Sequence, residues 1–222
     1  MGLDMYLYRA NLHGHSVEQA SRVENYLDLQ QWMKDHPDKT YTLKEWCGQE
    51  ESDINAEALK ALTPEFKLGY SYWDTRKAYG HYRIFQNCAY WRKANAIHSW
   101  FVQNVQNGVD NCDTYQVTRE QLEELVKACQ TVLAKVQTEN AQVCVGIQYQ
   151  NGKDVPMMQD GKVIINPEVC AESLPTQSGF FFGSTDYDEY YIEDLEKTVQ
   201  MLTEVIEQTD WETQTVCYSS SW

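Results

Sequence analysis

Apolar side chains recur at helical spacing in four long stretches of this sequence, and the pattern predicts a fold dominated by helices. The predicted helices cover residues 17–34, 90–105, 118–137 and 186–208. Ser16 followed by Gln19, and Thr118 followed by Gln121, have the capping-box spacing that starts a helix. A shorter helix is predicted over residues 56–62.

The two ends of the chain alternate between apolar and polar residues, as strands do. We expect residues 3–8 and 215–222 to pair in a small antiparallel sheet, because such pairing commonly fixes chain termini. Extended segments are also predicted at residues 143–149 and 162–165. Residues 41–46 fit a strand and a helix start equally well.

These elements do not alternate regularly, so the predicted fold class is α+β, with more helix than sheet. A length of 222 residues suits one large domain or two small ones. Residues 138–173 have the weakest pattern and contain the turn signals Asn151-Gly152 and Asp160-Gly161. We predict a single domain, 1–222, in which 138–173 is a candidate variable insertion.

Residues 90–101 bring aromatic, basic and hydrogen-bonding side chains into about three turns of a predicted helix. On a helical wheel, Tyr90, Ala94, Ile97 and Phe101 form the buried face. The side chains left to contact a ligand are Trp91, Arg92, Lys93, Asn95 and His98. A histidine at the edge of a core is often structural, so both roles stay open for His98.

The wider segment 70–93 contains five Lys and Arg residues, one acid and eight aromatic residues. Interleaved aromatic and cationic side chains can stack on bases and pair with phosphates. The alternative is a hairpin whose aromatic residues pack and whose cations balance the acidic C-terminal part. Both interpretations stay open.

A second dense stretch, residues 174–191, predicts a loop, three consecutive phenylalanines and the start of a helix. A Gly-Ser-Thr turn before a helix can hold a phosphate. Acidic residues at 186, 188 and 189 would repel an anion there and instead satisfy the helix dipole. We expect residues 177–187 to face the polar flank of residues 92–98. The candidate ligand contacts in the loop are Gln177, Ser178, Ser184, Asp186 and Tyr187.

The net charge is −15, and residues 139–222 hold −12 of it, with Lys153, Lys162 and Lys197 against 15 acids. This balance disfavours direct nucleic-acid binding. Two interpretations of the negative charge stay open. It keeps the protein soluble by limiting association between copies, or it forms an acidic surface that docks on a basic partner.

Seven cysteines, an odd number without C-x-x-C spacing, indicate reduced thiols and a cytoplasmic location. No apolar run reaches membrane-spanning length, so no membrane association is expected. The sequence contains no Walker loop, dinucleotide fingerprint, zinc-protease motif or G-x-S-x-G motif. We predict no metal and no cofactor.

Three blocks together resemble a known group of proteins: the start Met-Gly-Leu-Asp-Met-Tyr-Leu, the Tyr-Trp-Arg-Lys-Ala-Asn-Ala-Ile-His block and residues 174–191. They are similar to a family of small uncharacterised proteins encoded by phages and prophages. The resemblance covers about a third of the chain. It implies action in the host-cell cytoplasm, on host machinery or host defence, and it implies no catalytic residues.

Three functional hypotheses follow. The first is a non-catalytic binder of a small phosphorylated, nucleotide-like ligand, with Arg92 and Lys93 on the phosphate and Trp91, Tyr90 or Trp73 stacking. The second is a small enzyme on a nucleotide-like substrate, with His98 as acid or base and Asp4, Asp186 or Cys88 assisting. Cys88 with His81 or His98 is the candidate nucleophile pair. The third is an acidic inhibitor of a host nucleic-acid enzyme, acting through Glu193, Glu196 and Glu204.

Overall fold

The alternating patterns at the two chain ends form the centre of a four-stranded antiparallel sheet. In the computed structural model, which describes residues 2–69, 81–150 and 152–222, β1 (Asp4–Ala10) pairs with the last strand, Thr215–Ser221. Leu7 lies opposite Tyr218 in this pairing. The α+β prediction and the pairing of the termini are therefore confirmed.

The other sheet strands flank this central pair. They are β4 (Gln86–Arg92), which pairs with β1, and β5 (Tyr115–Val117), which pairs with the C-terminal strand β8. The order across the sheet is β4-β1-β8-β5. Two hairpin pairings lie outside it: β2 (Lys67–Gly69) with β3 (His81–Arg83), and β6 (Thr138–Gln150) with β7 (Lys153–Ile164).

The described residues contain seven α-helices, and most lie where the apolar periodicity predicted them. They are α1 (Val17–Asp35), α2 (Leu43–Cys47), α3 (Ala56–Leu62), α4 (Asn95–Asn104), α5 (Arg119–Lys135), α6 (Glu168–Ser173) and α7 (Glu189–Gln208). Both predicted capping boxes are present, at Ser16 and Thr118. The ambiguous segment 41–46 is helical, because Thr42 and Glu45 form a third capping box.

Two hydrophobic clusters occupy the two faces of the sheet. Odd residues of β1, such as Met5 and Leu7, join the larger cluster with α4, α5 and α7. Even residues, such as Ala10, join the smaller cluster with α1 and α3. Side chains alternate across a strand, so β1 contributes to both cores.

The β6–β7 hairpin spans most of the segment predicted as a variable insertion. Its strands begin and end further out than the predicted 143–149 and 162–165. Ile147 and Tyr149 are exposed on it. Whether 138–173 is an insertion remains a prediction. Within the described parts of the chain, no helix is both long and apolar enough to cross a membrane.

The prediction of one helix from residue 90 is wrong for residues 90–94. Tyr90 and Trp91 belong to β4, where Trp91 lies opposite Met5 and its side chain is 3% exposed. The chain then turns at Lys93, whose φ is 60°, and α4 begins at Asn95. The spacing of Tyr90, Ala94 and Ile97 imitates a helix stripe, but the backbone groups of residues 86–92 are paired with β1. Likewise α7 begins at Glu189 and not at Asp186, because Asp188 caps it.

The aromatic and basic segment 70–93 is only partly described. Residues 70–80, which include Trp73, lie outside the described residues. The choice between a packed hairpin and a ligand face for this segment therefore stays open.

Candidate functional site

A cleft of about 650 Å³ lies between the start of α4, the first half of α7 and the loop before α7. Five of the predicted ligand contacts line it: Arg92, Lys93, Asn95, Ser184 and Asp186. Its volume falls within the range of small-molecule sites, about 300–1,000 Å³. The cleft is therefore the candidate site.

One wall of the cleft carries positive charge. Arg92 and Lys93 line it, and so do Ala96 and Ile97 in the first turn of α4. No side chain caps α4, and its first turn contains no acidic residue. First-turn N–H groups have no acceptor within their own helix, so they add a partial positive charge to this wall.

Lys93 is held in an unusual backbone conformation between β4 and α4. Its φ is 60°, and its N–H donates to the carbonyl of Leu3 at 2.8 Å. The carbonyl of Lys93 accepts from the N–H of Asn95 at 2.8 Å, closing a tight turn at Ala94. Non-glycine residues at positive φ are uncommon and cluster at functional sites.

Gly183 packs directly on Lys93. A Cβ at Gly183 would lie 3.2 Å from the Lys93 Cβ and 3.4 Å from its carbonyl oxygen, and the φ of Gly183 is 93°. Only glycine combines this close approach with that backbone angle at low cost. The contact holds the loop against the turn that carries Lys93.

Asn95 joins the loop to α4 from inside the cleft wall. Its side chain is 4% exposed. The amide Nδ2 donates to the carbonyls of Phe182 at 3.2 Å and Ser184 at 2.7 Å, and Oδ1 accepts from the N–H of Gln177 at 3.2 Å. The expectation that residues 177–187 face this part of the chain is confirmed for Asn95.

His98 lies behind the cleft and does not line it. The ring is fully buried, with Nδ1 2.7 Å from the hydroxyl of Tyr218 and Nε2 3.0 Å from Oδ1 of Asp110. Burial lowers the pKa of His98, and the Asp110 charge only partly offsets this. We assign the proton to Nε2, because the carboxylate can only accept, and Nδ1 then accepts from Tyr218. Both ring nitrogens are engaged, so His98 is a structural residue and not the ligand contact predicted from the sequence.

Gln177 continues this hydrogen-bonded network. Its Nε2 donates to Oδ2 of Asp110 at 2.9 Å. Through Asp110, Gln177 and Asn95, the buried His98 is connected to the loop that forms the cleft wall. Gln177 therefore positions the loop and does not line the cleft.

Three other predicted contacts also lie away from the cleft. Trp91 is buried, and its indole N–H donates to the Thr198 hydroxyl at 2.8 Å. The hydroxyl of Tyr187 accepts from the N–H of Thr176 at 3.4 Å, and its ring packs edge-on against Tyr191. Ser178 is exposed but does not line the cleft. For Trp91 the prediction failed because the residue belongs to a core-facing strand position and not to a helix flank.

The loop before α7 and the first half of α7 contribute four carboxylates and Lys197 to the cleft lining, and three of the carboxylates are already engaged. Asp186 accepts from the Ser184 hydroxyl at 2.9 Å, and Asp188 accepts from the N–H of Tyr191 at 3.1 Å. Glu193 accepts from Lys197 at 3.1 Å. The predicted capping role of these acids is confirmed at Asp188.

Asp194 differs from the other three carboxylates. Its carboxyl is half-buried and makes no hydrogen bond or ion pair with the described residues. Burial raises the pKa of Asp194 to about 7, with further contributions from Glu193 and Asp188, while Lys197 opposes the shift. Sequence reasoning missed Asp194. The available signal was its position three residues after Tyr191 and four before Thr198, beside the buried stripe of α7.

The predicted pair of Cys88 with His98 does not form. The Cys88 thiol donates to the carbonyl of Leu7 at 3.4 Å, and burial raises its pKa to about 12. His98 is occupied by Tyr218 and Asp110, so it is not paired with Cys88. The side chain of His81 lies outside what the structure describes. Among the described residues, no group of three or more His, Cys, Asp or Glu side chains could hold a metal ion.

Comparisons with protein-family models, with curated proteins and with solved structures gave no match. The resemblance to a phage and prophage family therefore remains a prediction. The functional interpretation depends on the cleft and its residues.

Proposed function

We propose that this protein binds a small phosphorylated, nucleotide-like ligand in the cleft between α4 and α7, without catalysing a reaction. The observation that carries the proposal is the wall formed by Arg92, Lys93 and the uncapped first turn of α4. Helix N-termini and neighbouring cations together favour phosphate, because both present N–H donors and positive charge.

The surrounding contacts support a preformed site. Lys93 is fixed by its backbone hydrogen bonds and by the packing of Gly183. Asn95 uses its side chain to hold the loop, and Ala96 and Ile97 in the first turn of α4 line the cleft beside it. A preformed site reduces the entropy that binding must overcome.

The setting of this activity is proposed from the sequence blocks alone. A phage-type accessory protein in the host-cell cytoplasm could sequester a phosphorylated signal and so counteract host defence. The acidic charge of the chain fits this role better than direct nucleic-acid binding, which depends on a basic surface.

The test is ligand-induced thermal stabilisation. The probes are inorganic pyrophosphate and the four ribonucleoside 5′-monophosphates, measured with the wild type, Lys93→Gln, Arg92→Gln and the control Lys127→Gln. Lys127 is exposed on α5, far along the chain from the cleft residues, and its loss changes the net charge equally. We expect Lys93→Gln to weaken binding by about tenfold or more, because a charge-assisted hydrogen bond contributes about 1.5–3 kcal/mol. The proposal would be contradicted if Lys127→Gln weakened binding as much as Lys93→Gln does. It would also be contradicted if no probe raised the melting temperature of the wild type.

A second candidate is a small enzyme that acts on a nucleotide-like substrate. The half-buried Asp194 favours it, because a carboxyl with a pKa of about 7 suits proton transfer at neutral pH. Incubation of each monophosphate with the protein, followed by mass spectrometry, separates the two functions. An unchanged nucleotide supports a binder, and a product that disappears in Asp194→Asn supports an enzyme.

A further inference from the structure

Asp194, on α7, lines the same cleft as Lys93, which lies between β4 and α4. Arg92 and Lys93 line the cleft beside α4, whereas four carboxylates and Lys197 line it from α7 and the loop before it. Its volume of about 650 Å³ exceeds what a single phosphate group fills. A ligand that fits both sides has an anionic end and a hydrogen-bond-donating end.

The four carboxylates include one whose oxygens have no partner among the described residues. Asp186, Asp188 and Glu193 accept from Ser184, the Tyr191 N–H and Lys197. Asp194 has no such contact, although it is half-buried. Buried polar groups are normally hydrogen-bonded, and the cleft leaves this half-buried carboxyl accessible to a ligand.

We propose that Asp194 accepts hydrogen bonds from the neighbouring hydroxyls of a sugar phosphate, whose phosphate occupies the cationic wall; this inference rests on the proposed function. A carboxylate has two oxygens that accept in parallel, which suits two adjacent hydroxyl donors. Asp194 is then the residue that distinguishes a sugar phosphate from a phosphate without such donors.

The same contact couples binding to a proton. Hydroxyl donors favour the ionised carboxylate, so binding lowers the pKa of Asp194 below its unliganded value of about 7 and releases a proton. Affinity should be full above that value and fall as the pH drops below it. The charged and titratable groups that face Asp194 from the elements around it are Arg92, Lys93, Asp186, Asp188, Tyr190, Glu193 and Lys197.

The first experiment compares the ribonucleoside 5′-monophosphates with their 2′,3′-dideoxy counterparts, and it includes phosphoethanolamine and inorganic pyrophosphate. For the wild type we expect the dideoxy compounds to bind about tenfold more weakly, because hydrogen bonds to a charged acceptor are lost. In Asp194→Asn this difference should shrink to less than about threefold. The Asn side chain has nearly the same shape, and thermal melting of the variant checks that the fold is intact.

The outcomes separate the inference from the proposed function. If ribose and dideoxyribose compounds bind the wild type equally, while Lys93→Gln still weakens both, the inference is wrong and the phosphate site stands. Stronger binding of phosphoethanolamine than of any monophosphate would assign Asp194 to an amine and overturn the sugar hydroxyls. If no probe binds, both proposals fail.

The second experiment measures proton release by calorimetry in buffers of different ionisation enthalpy. At pH 7 the wild type should release up to about half a proton per bound ligand beyond the amount released by Asp194→Asn, because Asp194 is about half protonated at that pH. The variant serves as the reference because it retains the titration of the ligand phosphate itself. Equal proton release in the two proteins would contradict the role of Asp194.

Discussion

The side-chain amide of Asn95 donates to the backbone carbonyl of Ser184 at 2.7 Å, across 89 positions of sequence. This contact joins the first residue of α4 to the loop before α7, and both line the cleft. A buried amide side chain therefore holds together two parts of the chain that line the cleft.

Asn95→Ala should destabilise the protein by about 2–3 kcal/mol, because buried polar groups left without partners cost about 1–3 kcal/mol each. The groups concerned are the carbonyls of Phe182 and Ser184 and the N–H of Gln177. Urea denaturation measures the change. The control is Asn104→Ala, whose amide also binds a carbonyl, that of Trp100, but at an exposed site. A similar loss in both variants would show that the Asn95 network has no special role.

Gly183→Ala should destabilise the protein more than Gly14→Ala does. Both glycines have positive φ, 93° and 82°, so both variants carry the backbone cost of about 1 kcal/mol. At Gly183 the new Cβ presses on Lys93, whereas no described residue lies within 4 Å of a Cβ at Gly14. Thermal melting compares the two. The Gly183 variant should also reduce stabilisation by the monophosphates, and equal melting temperatures would argue against close packing on Lys93.

The buried His98 should make the fold less stable in mild acid. Its pKa in the folded protein lies below the ordinary value of 6.5, so the unfolded chain takes up a proton first as the pH falls. The stability from neutral His98 is complete above about pH 6.5 and is lost below it. Denaturation at a series of pH values should show that the free energy of unfolding falls less in acid for His98→Gln than for the wild type. His15→Gln, at a loop position, should behave like the wild type.

Asp194 should have the opposite effect on stability. Its pKa is raised from 3.8 to about 7, so the folded protein holds a proton that the unfolded chain has released. The resulting stability is complete below about pH 4 and is lost as the pH rises through 7. Asp194→Asn removes this dependence, and it should melt at a higher temperature than the wild type at pH 8 without any ligand. Glu196→Gln, at an exposed position of α7, is the matched control. If Asp194→Asn melted at a lower temperature than the wild type at pH 8, the raised pKa of Asp194 would be contradicted.

The cysteines should separate into reactive and protected groups. Cys47, Cys112 and Cys144 are exposed, whereas Cys129, Cys170 and Cys217 are buried. Burial raises the pKa of Cys88, Cys129 and Cys217 to about 12, which suppresses the reactive thiolate. Titration of the native protein with a thiol reagent should modify three cysteines rapidly, and all seven after denaturation. Rapid modification of Cys88 would reopen its role as a nucleophile.

Several features could be predicted from the sequence because they depend on neighbouring residues. The capping boxes at Ser16 and Thr118 act over three positions, and they started α1 and α5 where expected. Helix α7 ends at Gln208, as its apolar periodicity indicated. The alternation at the two termini was sufficient to predict a sheet between them, and β1 and β8 pair in that way.

The candidate site was harder to predict because its residues are shared between elements. Arg92, Lys93, Asn95, Ser184 and Asp186 were chosen for their chemistry and do line one cleft. His98 and Trp91 were chosen in the same way, yet both are buried. A helical wheel cannot show that Trp91 belongs to a strand, because the strand is set by pairing with Met5, 86 positions earlier.

By itself, the sequence determined the α+β composition and the position of most helices, because propensity, capping and periodicity act within a few residues. It also supplied the candidate ligand contacts, through the chemistry of their side chains. Only the tertiary structure decided which of those side chains share a cleft. It placed His98 against Tyr218, 120 positions away, and left the Asp194 carboxyl half-buried, with no hydrogen-bond partner among the residues that the structure describes. Burial and long-range hydrogen bonds change what a side chain can do, and both arise only when distant parts of the chain meet.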